Sequence, residues 1–338
     1  MLALGVESSC DETACAVVEN GKKILSNVIA SSLEEHRPYG GVIPEIACRS
    51  HVESMMPVLE KSLHEAGVSF GDMDLIAATC GPGLPGSLLV GLSTAKAISF
   101  ARGIPLVGVD HIQAHLYACL MRPRAPSLPV LGLVVSGGHT SLFHIQKVDR
   151  FKRIAETQDD ACGEAFDKVA KILGLGYPGG PEIEKRAALG DPKAFSFPPP
   201  RLNATSLDFS FSGIKTAVLY QVKELVQSKK YNVLPPSMVN DICASFQRVV
   251  IETLMRHALS ACRQYQCRTL VVGGGVTANQ ALRRSFEKRF REEGLRVFFP
   301  PKGLSLDNAA MVAGLGTRLY QKGFRSSLDL GCYPLGVN

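Results

Sequence analysis

The sequence predicts an α/β protein of two duplicated lobes, and three observations carry that expectation. At 338 residues the chain has room for about two domains of ~100–200 residues each. Hydrophobic residues make up 46% of it and aromatics only 7%, with no Trp, which suits Gly- and Ala-rich buried parallel strands. The third observation is internal repetition. Residues 3 to 19 read as strand, polar turn, strand, and the segment from Val130 to Ile145 repeats that layout. Laid over one another, Leu4, Gly5, Ser9 and Thr13 fall on Leu131, Gly132, Ser136 and Thr140. Both turns are rich in hydroxyls and small residues, so their backbone N–H groups can face a phosphate.

Between the repeats, His51 to Ala66 has helical periodicity through Val52, Met55, Met56, Leu59 and Leu63. Met73 to Ala78 reads as a buried strand leading into Gly81-Pro82-Gly83-Leu84-Pro85-Gly86-Ser87 and then a helix, Leu88 to Ala101. That turn suits either an anion at the helix N-terminus or plain packing. A further apolar run, Leu106 to Val109, ends on Asp110 as a helix N-cap. His111 and His115 then stand at i and i+4 on one helix face, where two imidazoles can chelate one metal ion. The plain alternative is that each His caps or packs alone. Cys119, one turn further on, reads as a small buried apolar residue before it reads as a third ligand.

The stretch Arg122-Pro123-Arg124-Ala125-Pro126 reads as a linker that opens the second lobe. Residues 159 to 174 form an amphipathic helix with Glu164, Asp167 and Lys168, followed by Gly176-Tyr177-Pro178-Gly179-Gly180-Pro181. Residues 195 to 213 read as irregular, and two helices follow at roughly 214–228 and 238–264. A strand from Thr269 then enters Gly273-Gly274-Gly275 and a helix with Asn279 near its start, a nucleotide-type turn. Asp307-Asn308 caps a last helix of small residues, Ala309 to Gln321. The expected lobes are 1–125 with 308–338, and 126–307 with a helical insertion about 150–265. Duplicated lobes with phosphate turns and a late glycine turn form an actin/Hsp70/sugar-kinase layout, in which nucleotide and metal lie in the cleft between lobes.

Composition excludes several classes. No apolar run approaches the ~20 residues needed to cross a bilayer. Met1-Leu2-Ala3-Leu4-Gly5 has no basic n-region, so no signal peptide is expected. The ten cysteines contain no CxxC pair; Cys262 and Cys267 are the closest late pair, which reads as reduced thiols of a cytoplasmic protein. A net charge of +6 permits an RNA partner without demanding one. Basic residues gather at Arg283-Arg284, Lys288-Arg289 and Arg291, and at Lys229-Lys230, and charge alone reads them as a solvated helix face.

The ordered motifs resemble one family, the bacterial TsaD proteins, relatives of the archaeal and eukaryotic Kae one-type ATPases. They are Val6-Glu7-Ser8-Ser9-Cys10-Asp11-Glu12-Thr13, Gly40 to Ala47 with His51, Gly81-Pro82-Gly83-Leu84, and His111 to His115. Further on come Val134 to Thr140, Ala165-Phe166-Asp167-Lys168, Tyr177 to Pro181, Phe211 to Thr216, Gly274-Gly275-Val276 with Asn279, and Asp307-Asn308. Two departures flank the last motif: Leu304-Ser305-Leu306 stands where the family usually has Cys-Thr before the Asp, and Ala309 where it has Gly.

The resemblance implies a tRNA adenosine threonylcarbamoyltransferase. The donor is threonylcarbamoyl-AMP and the acceptor the exocyclic amine of the adenosine 3′-adjacent to the anticodon in ANN-decoding tRNAs. It implies His111, His115 and Asp307 as ligands of one divalent metal, Fe2+ ahead of Zn2+. It implies Val134, Val135, Ser136, Gly137, Gly138, Asp167, Gly180 and Asn279 as contacts of an adenine nucleotide, the acyl-adenylate or ATP. Glu184 takes the place of a ribose-binding carboxylate. The implied partners are tRNA, a TsaB-like paralogue docking on the N-terminal lobe, a TsaE-like ATPase, and the synthase that makes the donor. The helix at 50–66, with Met55, Met56, Leu59 and Leu63, offers a docking face, although core packing explains the same stripe.

Chemistry alone names Asp11 and Glu12 as candidates for a general base. No Ser-His-Asp or Cys-His arrangement is visible for a covalent intermediate, so direct transfer is expected. A metalloprotease of the zincin kind needs Glu directly after the first His, and Ile112 stands there. A sugar or acid kinase has no use for the His pair. A nucleotide-binding scaffold without turnover is the remaining alternative.

Overall fold

A computed structural model describes residues 1–199, 206–227 and 234–334. The chain divides into two compact units, one of residues 1–128, 145–151 and 300–338, the other of residues 129–144 and 152–299. Lys229 and Lys230, residue 228 of the expected helix, residues 200–205 of the irregular segment and residues 335–338 lie outside the described residues.

The first unit opens with β1 (Leu2–Glu7), β2 (Glu12–Glu19) and β3 (Lys23–Ser31), a short α1 (Leu33–His36) and the long α2 (Pro44–Ala66). After β4 (Leu75–Gly81), α3 (Pro85–Arg102) and β5 (Leu106–Asp110) comes α4 (His111–Ala118). The sheet order is β3-β2-β1-β4-β5, with β1 antiparallel to β2 and parallel to β4, and β4 parallel to β5. β1 and β4 are buried almost along their whole length, which is why both read as continuous apolar runs rather than alternating ones.

Both long helices start earlier than their periodicity suggests. α2 begins at Pro44 and α3 at Pro85, each proline filling the first turn, where its missing N–H costs nothing. Met55, Leu59 and Leu63 of α2 are buried, whereas Val52 and Met56 are exposed. The Gly81–Ser87 turn is a packing turn. Leu84 N donates to Ser9 O at 2.8 Å, and a Cβ on Gly83 would meet the Ser9 backbone.

The second unit repeats the plan. It contains β6 (Val130–Val135), most of β7 (Thr140–Lys147) and of β8 (Arg150–Glu156), α5 (Cys162–Ile172), α6 (Gly179–Ala187), α7 (Ser212–Gln227) and α8 (Pro236–Gln264). Then follow β9 (Thr269–Gly273), a 3-10 turn (Gly275–Ala278), α9 (Gln280–Glu292) and β10 (Arg296–Phe298). The sheet order is β10-β9-β6-β7-β8, the first sheet's order with β6 in the place of β1. Thr13 and Thr140 both stand at the start of the strand after the turn, as the repeat in the sequence places them. The stretch expected to be helical from about 150 begins as the edge strand β8 and turns helical only at Cys162. Phe166, Phe209, Phe211, Phe246, Phe286 and Phe290 fill the core of this unit.

The chain closes in the first unit with α10 (Ala309–Gln321), capped by Asn308, whose side chain accepts from Met311 N. Among the described residues no helix is long and apolar enough to cross a membrane.

Candidate functional site

The first unit brings His111, His115 and Asp307 together, with one ligand atom from each lying within 4.8 Å of the others. Local chemistry explains the histidines. Asp110 closes β5 and its carboxylate accepts from Gln113 N at 2.8 Å, so α4 starts at His111 and the next turn delivers His115. Asp307 arrives from the far end of the sequence, just before the Asn308 cap. Asn308 Nδ2 donates to Leu306 O at 2.8 Å while its Oδ1 caps α10, which fixes the backbone on both sides of Asp307. His115 Nε2 stands 3.0 Å and His111 Nε2 3.7 Å from Asp307 Oδ1.

These residues fit a divalent cation on their own chemistry. Two imidazole nitrogens and a carboxylate oxygen are a borderline donor set that leaves further coordination positions open. His115 Nδ1 is buried without a hydrogen-bond partner among the described residues, so protein contacts account for only one of its two nitrogens. Cys119 is turned away, its Sγ toward His115 O at 3.9 Å.

Behind His111 lies a carboxylate that periodicity does not single out. Glu7, at the end of β1, is fully buried. Its Oε1 accepts from Ser9 N at 2.6 Å, and its Oε2 from Thr79 Oγ1 at 2.6 Å, with His111 Nδ1 3.1 Å away. Burial alone would raise Glu7, but the facing His111 outweighs it and holds the carboxyl below its ordinary value. Burial would likewise depress His111, yet Glu7 and Asp307 together carry it up to about 9.

Asp11 and Glu12 flank the same turn. Ser31 Oγ donates to Glu12 Oε1 at 3.3 Å. Burial, with the charges of Asp307 and Asp11, pushes Glu12 up to about 10. A cation on Asp307 removes part of that repulsion. For Asp11 the structure shows a backbone role, its carbonyl accepting from Ser32 N and Ser32 Oγ.

The second unit holds the other candidates. Val134 and Val135 are buried at the end of β6, and the chain turns over Ser136, Gly137 and Gly138. Ser136 N donates to His139 O at 2.8 Å, and His139 N to Ser136 Oγ at 3.1 Å. Gly137 and Gly138 are exposed, with nothing within 4 Å of where a Cβ would stand, so the turn presents bare backbone to solvent. Gly163, at the start of α5, donates to Ser136 O at 3.0 Å and has no room for a side chain against Gly137. Gly274, at φ +94, packs against the Val135 carbonyl in the same way.

Asp167 Oδ1 accepts from Gly179 N at 2.7 Å, with Gly180 open beside it. Glu184 Oε1 accepts from Gln280 N at 2.7 Å at the start of α9. Asn279 is nearly buried and spent on the protein: its Oδ1 caps α9 through Leu282 N, and its Nδ2 donates to Gln247 Oε1 at 2.7 Å. Sequence reasoning missed Glu7, Gly163, Gly179 and Gln247. A glycine just inside a predicted helix start was the available signal for Gly163, and the glycine-proline turn 176–181 for Gly179.

The two matching five-stranded sheets define the class, the two-lobed α/β fold of actin, Hsp70 and the sugar kinases. Solved structures agree on the fold. Full-length HypF in its phosphate- and nucleotide-bound form superposes with a TM-score of 0.61 at 15% identity, over 95% of this chain and 55% of that one. A ROK-family glucokinase from Streptomyces griseus, in complex with glucose and AMPPNP, gives 0.54 at 13% identity over 95% and 100% of the two chains.

Residues 23–314 match the family model of TsaD, tRNA N6-adenosine threonylcarbamoyltransferase. A protein of that name from Protochlamydia amoebophila (strain UWE25) is 49% identical over 332 residues, 98% of this chain and 96% of its own. The chain belongs to the TsaD family, and it is a transferase of that family's kind.

Proposed function

We propose that this protein transfers the threonylcarbamoyl group of threonylcarbamoyl-AMP to the N6 amine of the adenosine 3′-adjacent to the anticodon in ANN-decoding tRNAs. The observation that carries the reading is the convergence of His111, His115 and Asp307 in a chain of this family. Their donor set suits Fe2+ first and Zn2+ second. The bound cation would supply Lewis-acid stabilisation of negative charge developing on the donor.

The chain's own residues do the rest. The bare backbone of Ser136-Gly137-Gly138 receives the phosphate that departs with AMP. Asp167, Gly180, Glu184 and Asn279 belong to the same unit, Asn279 through the α9 start that it caps, and Glu184 is the carboxylate for the ribose. Holding the acyl carbon against the poorly nucleophilic amine is the larger task, because proximity replaces a bimolecular encounter. The amine attacks the carbamoyl carbon, the carbon–oxygen bond to phosphate breaks, AMP leaves with the electron pair, and the proton lost by the amine passes to the departing phosphate or to solvent. No enzyme-bound acyl group intervenes. Cys10 is half-buried beside Asp11 and Cys162 is buried among apolar groups, and both thiols are pushed up from their ordinary value, so neither offers a thiolate.

The donor comes from a separate synthase, and a TsaB-like paralogue and a TsaE-like ATPase complete the system. The exposed Val52 and Met56 of α2 are the docking face for the paralogue. The tRNA backbone lies on α9, whose Arg284, Lys288 and Arg291 face solvent. We place the protein in the cytoplasm with its tRNA.

The test is transfer of radiolabelled threonine into an ANN-decoding tRNA transcript, with ATP, bicarbonate, the synthase and both partners present. Wild type should label the tRNA, and His111→Ala and Asp307→Ala should not. Label retained in both variants would remove the metal from the chemistry. No label with wild type, where a known family enzyme works, would favour a nucleotide-binding scaffold.

A further inference from the structure

We propose that Glu7 is the positioning residue of the metal centre, holding His111 from behind so that its Nε2 lone pair points at the cation. The proposal rests on reading His111, His115 and Asp307 as the ligands. A fully buried carboxylate has to be hydrogen-bonded on both oxygens, and the partners of Glu7 are all donors. Ser9 N–H fixes Oε1, the Thr79 hydroxyl fixes Oε2, and His111 Nδ1 completes the set at 3.1 Å.

An imidazole whose Nδ1 faces a carboxylate oxygen must carry its proton there, since two lone pairs would otherwise confront each other. In the neutral ring that a metal requires, this leaves Nε2 bare, and Nε2 is the nitrogen turned toward Asp307. Ser9 Oγ, 3.2 Å from the same Nδ1, adds a second acceptor for that proton. His115 has no such support, its Nδ1 being without a hydrogen-bond partner among the described residues. Glu7 therefore makes His111 the pre-oriented ligand of the pair, in the carboxylate–histidine–metal arrangement known to raise ligand basicity.

Glutamine in this position cannot satisfy the same neighbours. Its amide NH2 would have to face either Ser9 N–H or the Thr79–His111 side, and both offer donors. Glu7→Gln is expected to lower metal affinity by roughly 10- to 100-fold, the usual cost of removing such a partner.

The full chain would be titrated with Zn2+ against a chromophoric chelator, and with Co2+ while its visible d–d bands are recorded. Circular dichroism of the metal-free proteins checks folding. Wild type should bind one equivalent, and Glu7→Gln should bind more weakly with altered Co2+ bands while keeping its fold. Thr79→Val, which keeps the carboxylate but removes one of the two donors to Oε2, should fall between the two. It also carries the test should the Gln variant not fold. A folded Glu7→Gln, or failing that Thr79→Val, with wild-type affinity and wild-type Co2+ bands would overturn the role of Glu7. Failure of the ligand reading would look different: wild type would bind no metal, or Asp307→Asn would bind as tightly as wild type.

Discussion

Gly5 in β1 lies against the backbone carbonyl of Ala309 at the start of α10, with no space between them for a methyl group. The contact matters because each partner is two residues from the candidate metal centre. β1 ends on Glu7, behind His111, and α10 is preceded by Asp307. The depth at which α10 seats on β1 therefore sets how far Asp307 reaches toward the two imidazoles. Gly5→Ala should push α10 outward, since the obstacle is backbone that cannot swing aside. The expected cost is about 1–3 kcal/mol of stability, typical of overpacking. A weaker metal affinity should accompany it, although no ligand is changed. Thermal unfolding with and without Zn2+ checks both, and a variant with wild-type midpoint and affinity would refute the link.

What could be read in the sequence follows the range of the interactions. Asp110, His111 and His115 sit within one helical start, so an N-cap and an i, i+4 spacing placed them correctly relative to each other. The repeated strand–turn–strand layout likewise foretold two duplicated lobes, whose sheets share one strand order in the structure. Asp307 meets His115 across 192 positions of sequence, and nothing local announces that contact. Only the family resemblance brought Asp307 to the site. Glu7 was hidden for another reason. It ends a buried strand, where a carboxylate looks like the polar start of a turn until Thr79 and His111 are seen to enclose it.

The apolar stripe of α2 shows the same limit, because periodicity cannot say which side of a wide stripe meets solvent. Met55 is 2% exposed and Met56 51%, though they are neighbours in sequence. Glutamate at Met55 would bury an unpaired charge and should unfold the first unit, which says nothing about docking. Val52→Glu with Met56→Glu is the informative pair. Both side chains face water, so stability should change by no more than about 0.5 kcal/mol. Heterodimer formation with the TsaB-like paralogue, followed by size-exclusion chromatography, should be lost. A heterodimer that survives would place the paralogue elsewhere.

On α9 the cations divide by what they already hold. Arg289 pairs with Glu293 at 2.6 Å, and Arg283 stacks on Phe299 while donating to Thr277 O. Arg284, Lys288 and Arg291 are exposed and have no ion pair among the described residues, and their i, i+4, i+7 spacing puts them on one face. A solvated helix with Glu287 and Glu292 at hand would be expected to pair some of these charges. A row of such cations a turn or more beyond Asn279 suits a phosphate backbone led toward the nucleotide turn. Reversing all three to Glu should weaken tRNA binding strongly at low salt. It should also flatten the dependence of log affinity on log salt by about one unit for each phosphate no longer neutralised. The nucleotide binding proposed for the Ser136–Gly138 turn should be untouched, since none of the three is near enough in sequence to shape it. An unchanged salt slope would mean that these residues meet only water, and that the tRNA lies on another face.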